Sequence, residues 1–204
     1  IGMEASVNYM QRLMTNQYRD VRNFTQLYFV LTMNPDGLQV ISDCRDNTWR
    51  KNGYRPPQLG DHDCNVYPGV GRDSCGVDLN RNFPYRWRPG PPGRYYPGHR
   101  PASERETRIA MRLIERIEPD VTIWFHQPLA LVDASGDDRM ERRYARLVGL
   151  PLVHLPRLYG TATSWQKHIL RGTEAFVVEL PGGALRPRGA RRFAKAVYRL
   201  VDPR

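Results

Sequence analysis

Lysine is nearly absent from this 204-residue chain: Lys51, Lys167 and Lys195 are the only three among 31 basic side chains, so arginine supplies the rest. Two readings of that bias stay open. An arginine fork suits carboxylate and phosphate recognition, and a codon preference for arginine would give the same count. Long apolar runs are missing too. The longest, 27–33 and 175–178, are strand-sized, far short of the roughly 18 residues of a membrane helix. There is no internal period, which excludes a tandem-repeat array. Zinc-finger spacing, an RNP-like strand and a basic helix with heptads are all absent. The formal charge of +10 therefore points to anionic partners in general and not to nucleic acid. Cysteine is scarce, with Cys44, Cys64 and Cys75, which rules out a disulfide scaffold. Cys64 and Cys75 either close a small loop, as suits an exported protein, or stay as free thiols. No signal peptide is visible. The chain opens at Ile1-Gly2-Met3-Glu4 without an initiator methionine, directly before a helical pattern, and reads as the interior of a longer product.

What is present is ordinary globular composition, 40% hydrophobic and 25% charged, long enough for one domain over 1–204 with a sizeable core. Apolar spacing predicts a helix over 5–18 and a strand over 27–33, stopped by the turn Asn34-Pro35-Asp36-Gly37. The stretch 43–102 is loop-rich, and a loop region of that length is functional or disordered. Ser103-x-x-Glu106 reads as a capping box for a helix to about Ile117. A buried strand follows at 121–126, then a helix at 138–148, a short strand at 151–155 and a Gly/Thr-rich loop at 159–164. A strand at 175–180 and a helix at 188–201 close the chain. Helices alternating with continuous apolar strands predict an α/β fold with a mixed, mostly parallel central sheet flanked by helices. Sites in such folds form beyond strand ends.

Two titratable groups fall at strand ends. His126 ends the 121–126 strand, and Glu179 lies near the end of 175–180 among apolar neighbours. A carboxylate there must be paired, metal-linked or held at a shifted pKa. A hydrogen-bonded core histidine and a buried salt bridge are the structural readings of the same residues. In Gly76-Val77-Asp78-Leu79-Asn80-Arg81-Asn82-Phe83, a guanidinium and two amides sit between apolar anchors. That group suits a carboxylate, because the arginine fork matches two oxygens. The alternative is an arginine pinning loop carbonyls.

These motifs together resemble the M14-type zinc carboxypeptidases, in their bacterial murein-peptide amidase-like branch. The resemblance runs through Asn34–Gly37, Trp49-Arg50-Lys51, Gly76–Phe83, Pro97-Gly98 followed by Ser103–Thr107, Phe125-His126-Gln127-Pro128, the stretch from Tyr159 to Trp165, and Phe176–Leu180. It implies a zinc carboxypeptidase-like sheet, lacking here its opening strands, and one zinc ion. Glu4 and His126 are the implied metal ligands. Glu179 is the implied general base and Arg50 the oxyanion-stabilising residue, with Arg45 as an alternative. Asn80 and Arg81 are the implied clamp on a terminal carboxylate, and Tyr159 the tyrosine that closes over the substrate. The implied substrate is a peptide or murein stem peptide, cleaved beside a free carboxylate. The implied location is secreted or cell envelope before cytoplasm.

One position departs from the pattern. The family's His-x-x-Glu pair would put histidine at residue 1, which is Ile. An unreliable first residue, a histidine just upstream with shifted spacing, and a metal-deficient pseudoenzyme that binds peptide carboxylates are the three explanations. His62, in Asp61-His62-Asp63-Cys64, has no partner at ligand spacing; His99, His154 and His168 read as surface or structural. The resemblance implies a pocket floor set in the loop around Thr163, and a threonine there leaves side-chain preference open.

Overall fold

The computed structural model describes residues 11, 25–38, 50–53, 76–134, 139–183 and 185–201. The helix expected over 5–18 lies outside them apart from Gln11, and so do Glu4, Arg45, His62 and all three cysteines. The chain divides into two compact units, each discontinuous in sequence. The first gathers Ile1–Thr32, Val121–Pro156 and Glu174–Arg204; the second gathers Met33–Asp120 and Arg157–Thr173.

The first unit holds a four-stranded sheet of β1 (Val121–His126), β2 (Leu129–Asp133), β3 (Leu152–Val153) and β4 (Glu174–Pro181), in the order β1-β4-β2-β3. β1 runs parallel to β4 and β2 parallel to β3, while β2 and β4 are antiparallel. The sheet is thus mixed and mostly parallel. β4 is central and its residues Ala175–Leu180 are all buried, which explains its unbroken apolar run. Two helices of this unit, α2 (Arg139–Val148) and α4 (Pro187–Val201), follow β2 and β4. Proline opens α4 at a position where a missing N–H costs nothing. Phe176, Val178 and Leu180 share one face of β4 and pack with Val132, Tyr144, Val148, Phe193 and Leu200.

The expected strand over 27–33 does not form a ladder. Residues 25–30 belong to no helix or strand and alternate in exposure. Leu27 and Phe29 turn inward beside Ala194 and Val197 of α4, while Tyr28 and Val30 stay exposed. Period-two burial against a helix gives the same sequence pattern as a half-buried strand. β2 was absent from the sequence reading: its five residues are too short a signal.

The second unit carries α1 (Arg105–Ile117) and α3 (Ala162–Ile169) around packed loops. On α1, Thr107, Ala110 and Ile114 make the buried stripe. Glu118 ends it in left-handed conformation, φ 47°, just before Pro119. The capping box does not form. Glu104 is the N-cap, without a side-chain cap. The Ser103 hydroxyl instead donates to Glu104 Oε1 at 2.6 Å and lies 2.9 Å from Asn82 Nδ2. The expected loop at 159–164 runs into α3, whose N-cap Thr161 accepts from the Ser164 N–H.

Within 76–102 the loops are ordered by one buried amide. Asn82 Nδ2 donates to the carbonyls of Pro97 (2.7 Å) and Arg100 (3.2 Å), and its Oδ1 accepts from the Glu104 N–H. Its own carbonyl accepts from Ala102 N at 2.7 Å. Buried polar groups must be paired, and here one side chain pairs several loop groups together.

Candidate active site

In the first unit, His126 and Glu179 are register partners at the ends of adjacent parallel strands. Partners on neighbouring strands sit about 4.8 Å apart and project from the same face. That face is opposite the one where Phe125, Val178 and Leu180 join the apolar core. Glu179 is 9% exposed and His126 half-buried. Leu131 of β2 flanks Glu179 on its other side. Beyond the strand end, the peptide between Gln127 and Pro128 is cis. The Gln127 amide donates to the carbonyls of Pro181 (2.9 Å) and Gly183 (3.1 Å), tying the exits of β1 and β4 together.

The second unit gathers Arg50, Asn80, Arg81 and Tyr159. Their placement begins at the Asn34–Gly37 turn. Asn34 Oδ1 accepts from Gly37 N at 2.8 Å, and its amide donates to the Lys51 carbonyl at 2.9 Å. Asp36 accepts from Gly53 N. The turn thus holds the backbone that carries Arg50. Asn52 then fixes this segment to the next: its N–H donates to the Val77 carbonyl, its Oδ1 accepts from Val77 N, and its amide donates to Glu104 Oε2 at 2.7 Å.

Asp78 caps a single 3-10 turn, Leu79–Arg81. Its Oδ1 accepts from Asn80 N at 3.2 Å, and its Oδ2 receives Arg50 Nε at 2.9 Å and Nη2 at 2.8 Å. Arg81 makes no ion pair among the described residues. Its Nη1 donates to the carbonyl of Asn80 at 2.6 Å. Burial pushes the Arg81 pKa down; Asp78 opposes that shift and the Arg50 charge adds to it. Both guanidiniums lie against the ring of Tyr95, Arg50 at 4.7 Å and Arg81 at 5.5 Å from its centroid. Among the described residues the cluster gathers Arg50, Arg81 and, at 5.7 Å from the same ring, Arg94 around one carboxylate, so positive charge is left over for an anion.

Asn80 Oδ1 accepts from Ala162 N at 3.0 Å. This fixes its amide orientation and leaves the NH2 as the donor end. Gly160 N-terminal to α3 has φ +62°, and a Cβ there would stand 2.2 Å from the Arg81 carbonyl oxygen. The Gly160 carbonyl accepts from Phe83 N. Tyr159 is exposed and stacks under the Arg88 guanidinium at 3.6 Å.

The structure therefore brings His126 beside Glu179, and separately brings Arg50, Asn80 and Arg81 together with the segment of Tyr159. Asp78 and Tyr95 were not singled out from sequence. A buried aspartate inside Gly76–Phe83 was the available signal for the first; Tyr95, in an arginine-rich loop, gave none. Asn82, expected beside Arg81 in a carboxylate-binding group, is wholly buried scaffold.

No three His, Cys, Asp or Glu side chains among the described residues are grouped to hold a metal ion. The donors that the resemblance offers are Glu4 and His126, with Ile1 in the histidine position. A catalytic zinc takes three protein ligands and keeps a fourth position for water. Of the two donors that the resemblance offers, His126 stands at the end of β1 beside Glu179, and Glu4 lies outside the described residues.

The chain is 36% identical over 139 residues to murein peptide amidase A of Escherichia coli (strain K12), an alignment covering 62% of this chain and 46% of the relative. It thus spans about half the length of that curated relative. It is 32% identical over 118 residues to the uncharacterized protein YqgT of Bacillus subtilis (strain 168), covering 51% and 29%. Among solved structures, murein-tripeptide amidase MpaA from Escherichia coli O157 matches with TM-score 0.57 and 26% identity over 84% of this chain and 65% of that one. Carboxypeptidase A from Helicoverpa armigera matches with TM-score 0.73 over 98% and 56%, at 14% identity, which shows the shared fold alone. The zinc carboxypeptidase (peptidase M14) family model matches residues 1–132, and the chain belongs to that family.

Proposed function

We propose that this chain serves the hydrolysis of a peptide or amide bond next to a free carboxylate, with murein stem peptides among its substrates. The observation that carries the reading is the Arg50–Asp78–Arg81 cluster, whose surplus positive charge sits on the motif Asn80-Arg81. Arg81 and the Asn80 amide hold the terminal carboxylate of the substrate. Arg50, anchored through Nε and Nη2, holds the carbonyl oxygen as it gains charge; losing one such donor typically costs about 10²–10³ in kcat. Glu179 keeps the general-base role that the resemblance implies, taking a proton from water and returning it to a leaving amine. Tyr159 covers the bound substrate. Likeness to the Escherichia coli amidases supports the choice of murein peptides.

A second reading has its own observation. The cluster of Arg50, Asn80 and Arg81 can hold a carboxylate by itself, which suits a peptide-carboxylate-binding protein without metal. The two separate in one experiment. Metal content is measured by mass spectrometry, and cleavage and binding are followed with an acyl dipeptide, its C-terminal amide and a murein tripeptide. Bound zinc with cleavage of the free acids, abolished by Glu179→Gln, supports hydrolysis. Carboxylate-dependent binding without metal or cleavage supports the second reading. Equal behaviour of acid and amide sinks both.

A further inference from the structure

Two guanidiniums in one partly buried cluster repel each other, and a single carboxylate does not neutralise them. Asp78 is saturated by Arg50 and by the Asn80 N–H. Arg81 has a backbone carbonyl and nothing anionic within ion-pair distance among the described residues. Asp78 holds Arg50, so Arg81 is the side chain that another group must keep from splaying into water. The Tyr95 ring lies against both, with Arg94 as a third guanidinium at 5.7 Å. An aromatic ring attracts cations through its electron-rich face without consuming an N–H. It can therefore gather two cations and leave their donors for a ligand, which a second carboxylate could not do.

We propose that Tyr95 is a positioning residue that sets the spacing of Arg50 and Arg81 before an anionic ligand arrives. This rests on the reading of the cluster as the receptor for a substrate carboxylate. Tyr95 is 53% exposed, so its value lies in where it holds the two arginines and not in core packing. The ligand class that fits is an acyl amino acid or peptide with a free terminal carboxylate. Arg81 takes that carboxylate, and Arg50, at a spacing fixed by the shared ring, takes the neighbouring carbonyl oxygen.

The test is a titration of this chain with N-acetylglycine, and with N-acetylglycinamide as the uncharged control, followed by NMR. Tyr95→Leu should raise the dissociation constant of the acid about tenfold, because the ligand must then order two arginine side chains that the ring no longer holds in place. Tyr95→Phe keeps the ring face and should restore binding to within about twofold. In the leucine variant the loss should fall on the acid alone, with the urea unfolding midpoint and the weak binding of N-acetylglycinamide unchanged, which a merely structural role would not give. Equal affinity of Tyr95→Leu and the parent overturns the inference while the carboxylate reading stands. So does a phenylalanine variant as weak as the leucine one. A parent that does not prefer the acid over the amide overturns both. Carboxylate binding with the expected variant pattern, but no cleavage of any peptide, upholds the inference and removes the hydrolytic reading.

Discussion

Arg50 and Asp78 meet through one oxygen: Nε and Nη2 of the guanidinium both reach Oδ2, at 2.9 and 2.8 Å. The other carboxylate oxygen accepts from the Asn80 N–H. Asp78 is 3% exposed and the arginine side chain 30%. One buried acid thus fixes a guanidinium that comes from a distant segment and caps the turn that presents Asn80 and Arg81. The linkage makes the two arginines parts of one object, and it spends two arginine donors on structure.

Replacing that acid tests the linkage. Asp78→Asn keeps an oxygen for the Asn80 N–H but removes the charge that holds Arg50. Breaking a fully buried pair costs about 3–5 kcal/mol. Solvent screens the partly exposed arginine, so the expected loss is about 1–3 kcal/mol, read from urea unfolding. An unchanged midpoint would show that the pair contributes nothing to the fold.

Gly160 is held where a side chain has no room. Its φ of +62° is costly for other residues, and a Cβ would meet the Arg81 carbonyl oxygen at 2.2 Å. The neighbour is backbone, so it cannot swing away. Gly160→Ala should lower stability by roughly 1–3 kcal/mol. It should also shift the amide signals of Asn80, Arg81 and Phe83 in an NMR spectrum, because Phe83 N donates to the Gly160 carbonyl. Signals unchanged at those three positions would contradict the close approach.

β1, β4 and the helices α1, α2 and α4 were legible because their signals are local. The run Val121–His126 is β-branched and aromatic and became β1 with the expected bounds. The stripe on α4 is set by Ala190, Phe193, Ala194 and Leu200, at helical spacing. Less was legible where polar side chains answer partners far along the chain. Ser103 looks like a helix cap until Asn82 and Glu104 claim its hydroxyl. Ala162–Ile169 has a weak apolar stripe, and the Thr161 cap with the Asn80 bond to Ala162 N starts the helix. At the site, the Asn-Arg-Asn spacing made Asn80 and Asn82 look equivalent. Only the three-dimensional partners separate them, since Asn82 points into the 97–104 loop and Asn80 toward α3. Tyr95 is one of several aromatics among arginines in 85–96, and spacing alone says nothing of which cation it meets.

The division of labour between those two asparagines gives a stability prediction. Asn82 is wholly buried and bonds the Pro97 and Arg100 carbonyls and the Glu104 N–H. Asn82→Ala leaves those groups without partners, each lost buried bond costing about 1–3 kcal/mol. Partial hydration brings the expected total to roughly 2–4 kcal/mol. Asn80→Ala, on a half-buried residue with one such bond, should cost about 1 kcal/mol. Chemical denaturation of the two variants should rank them in that order, and the reverse order would contradict the scaffold role of Asn82.

Tyr144 supplies a test in the first unit that depends on pH. Its ring packs against Phe176 at 5.8 Å, and its hydroxyl donates to the Phe193 carbonyl at 3.3 Å. Burial pushes the phenol pKa well up, with the Arg192 charge opposing. In the unfolded chain a tyrosine ionises near 10. Below that pH both states keep the proton and stability is independent of this group. Above it the unfolded chain releases a proton that the folded one retains, so the folded state loses about 1.4 kcal/mol per pH unit. Tyr144→Phe removes the titrating group at the cost of one hydrogen bond, roughly 1 kcal/mol at neutral pH. Unfolding midpoints from pH 8 to 11 should therefore fall less steeply above pH 10 in the variant than in the parent. Parallel curves would mean that the hydroxyl reaches solvent, and that α2 and α4 do not seal it as the hydrogen bond to Phe193 requires.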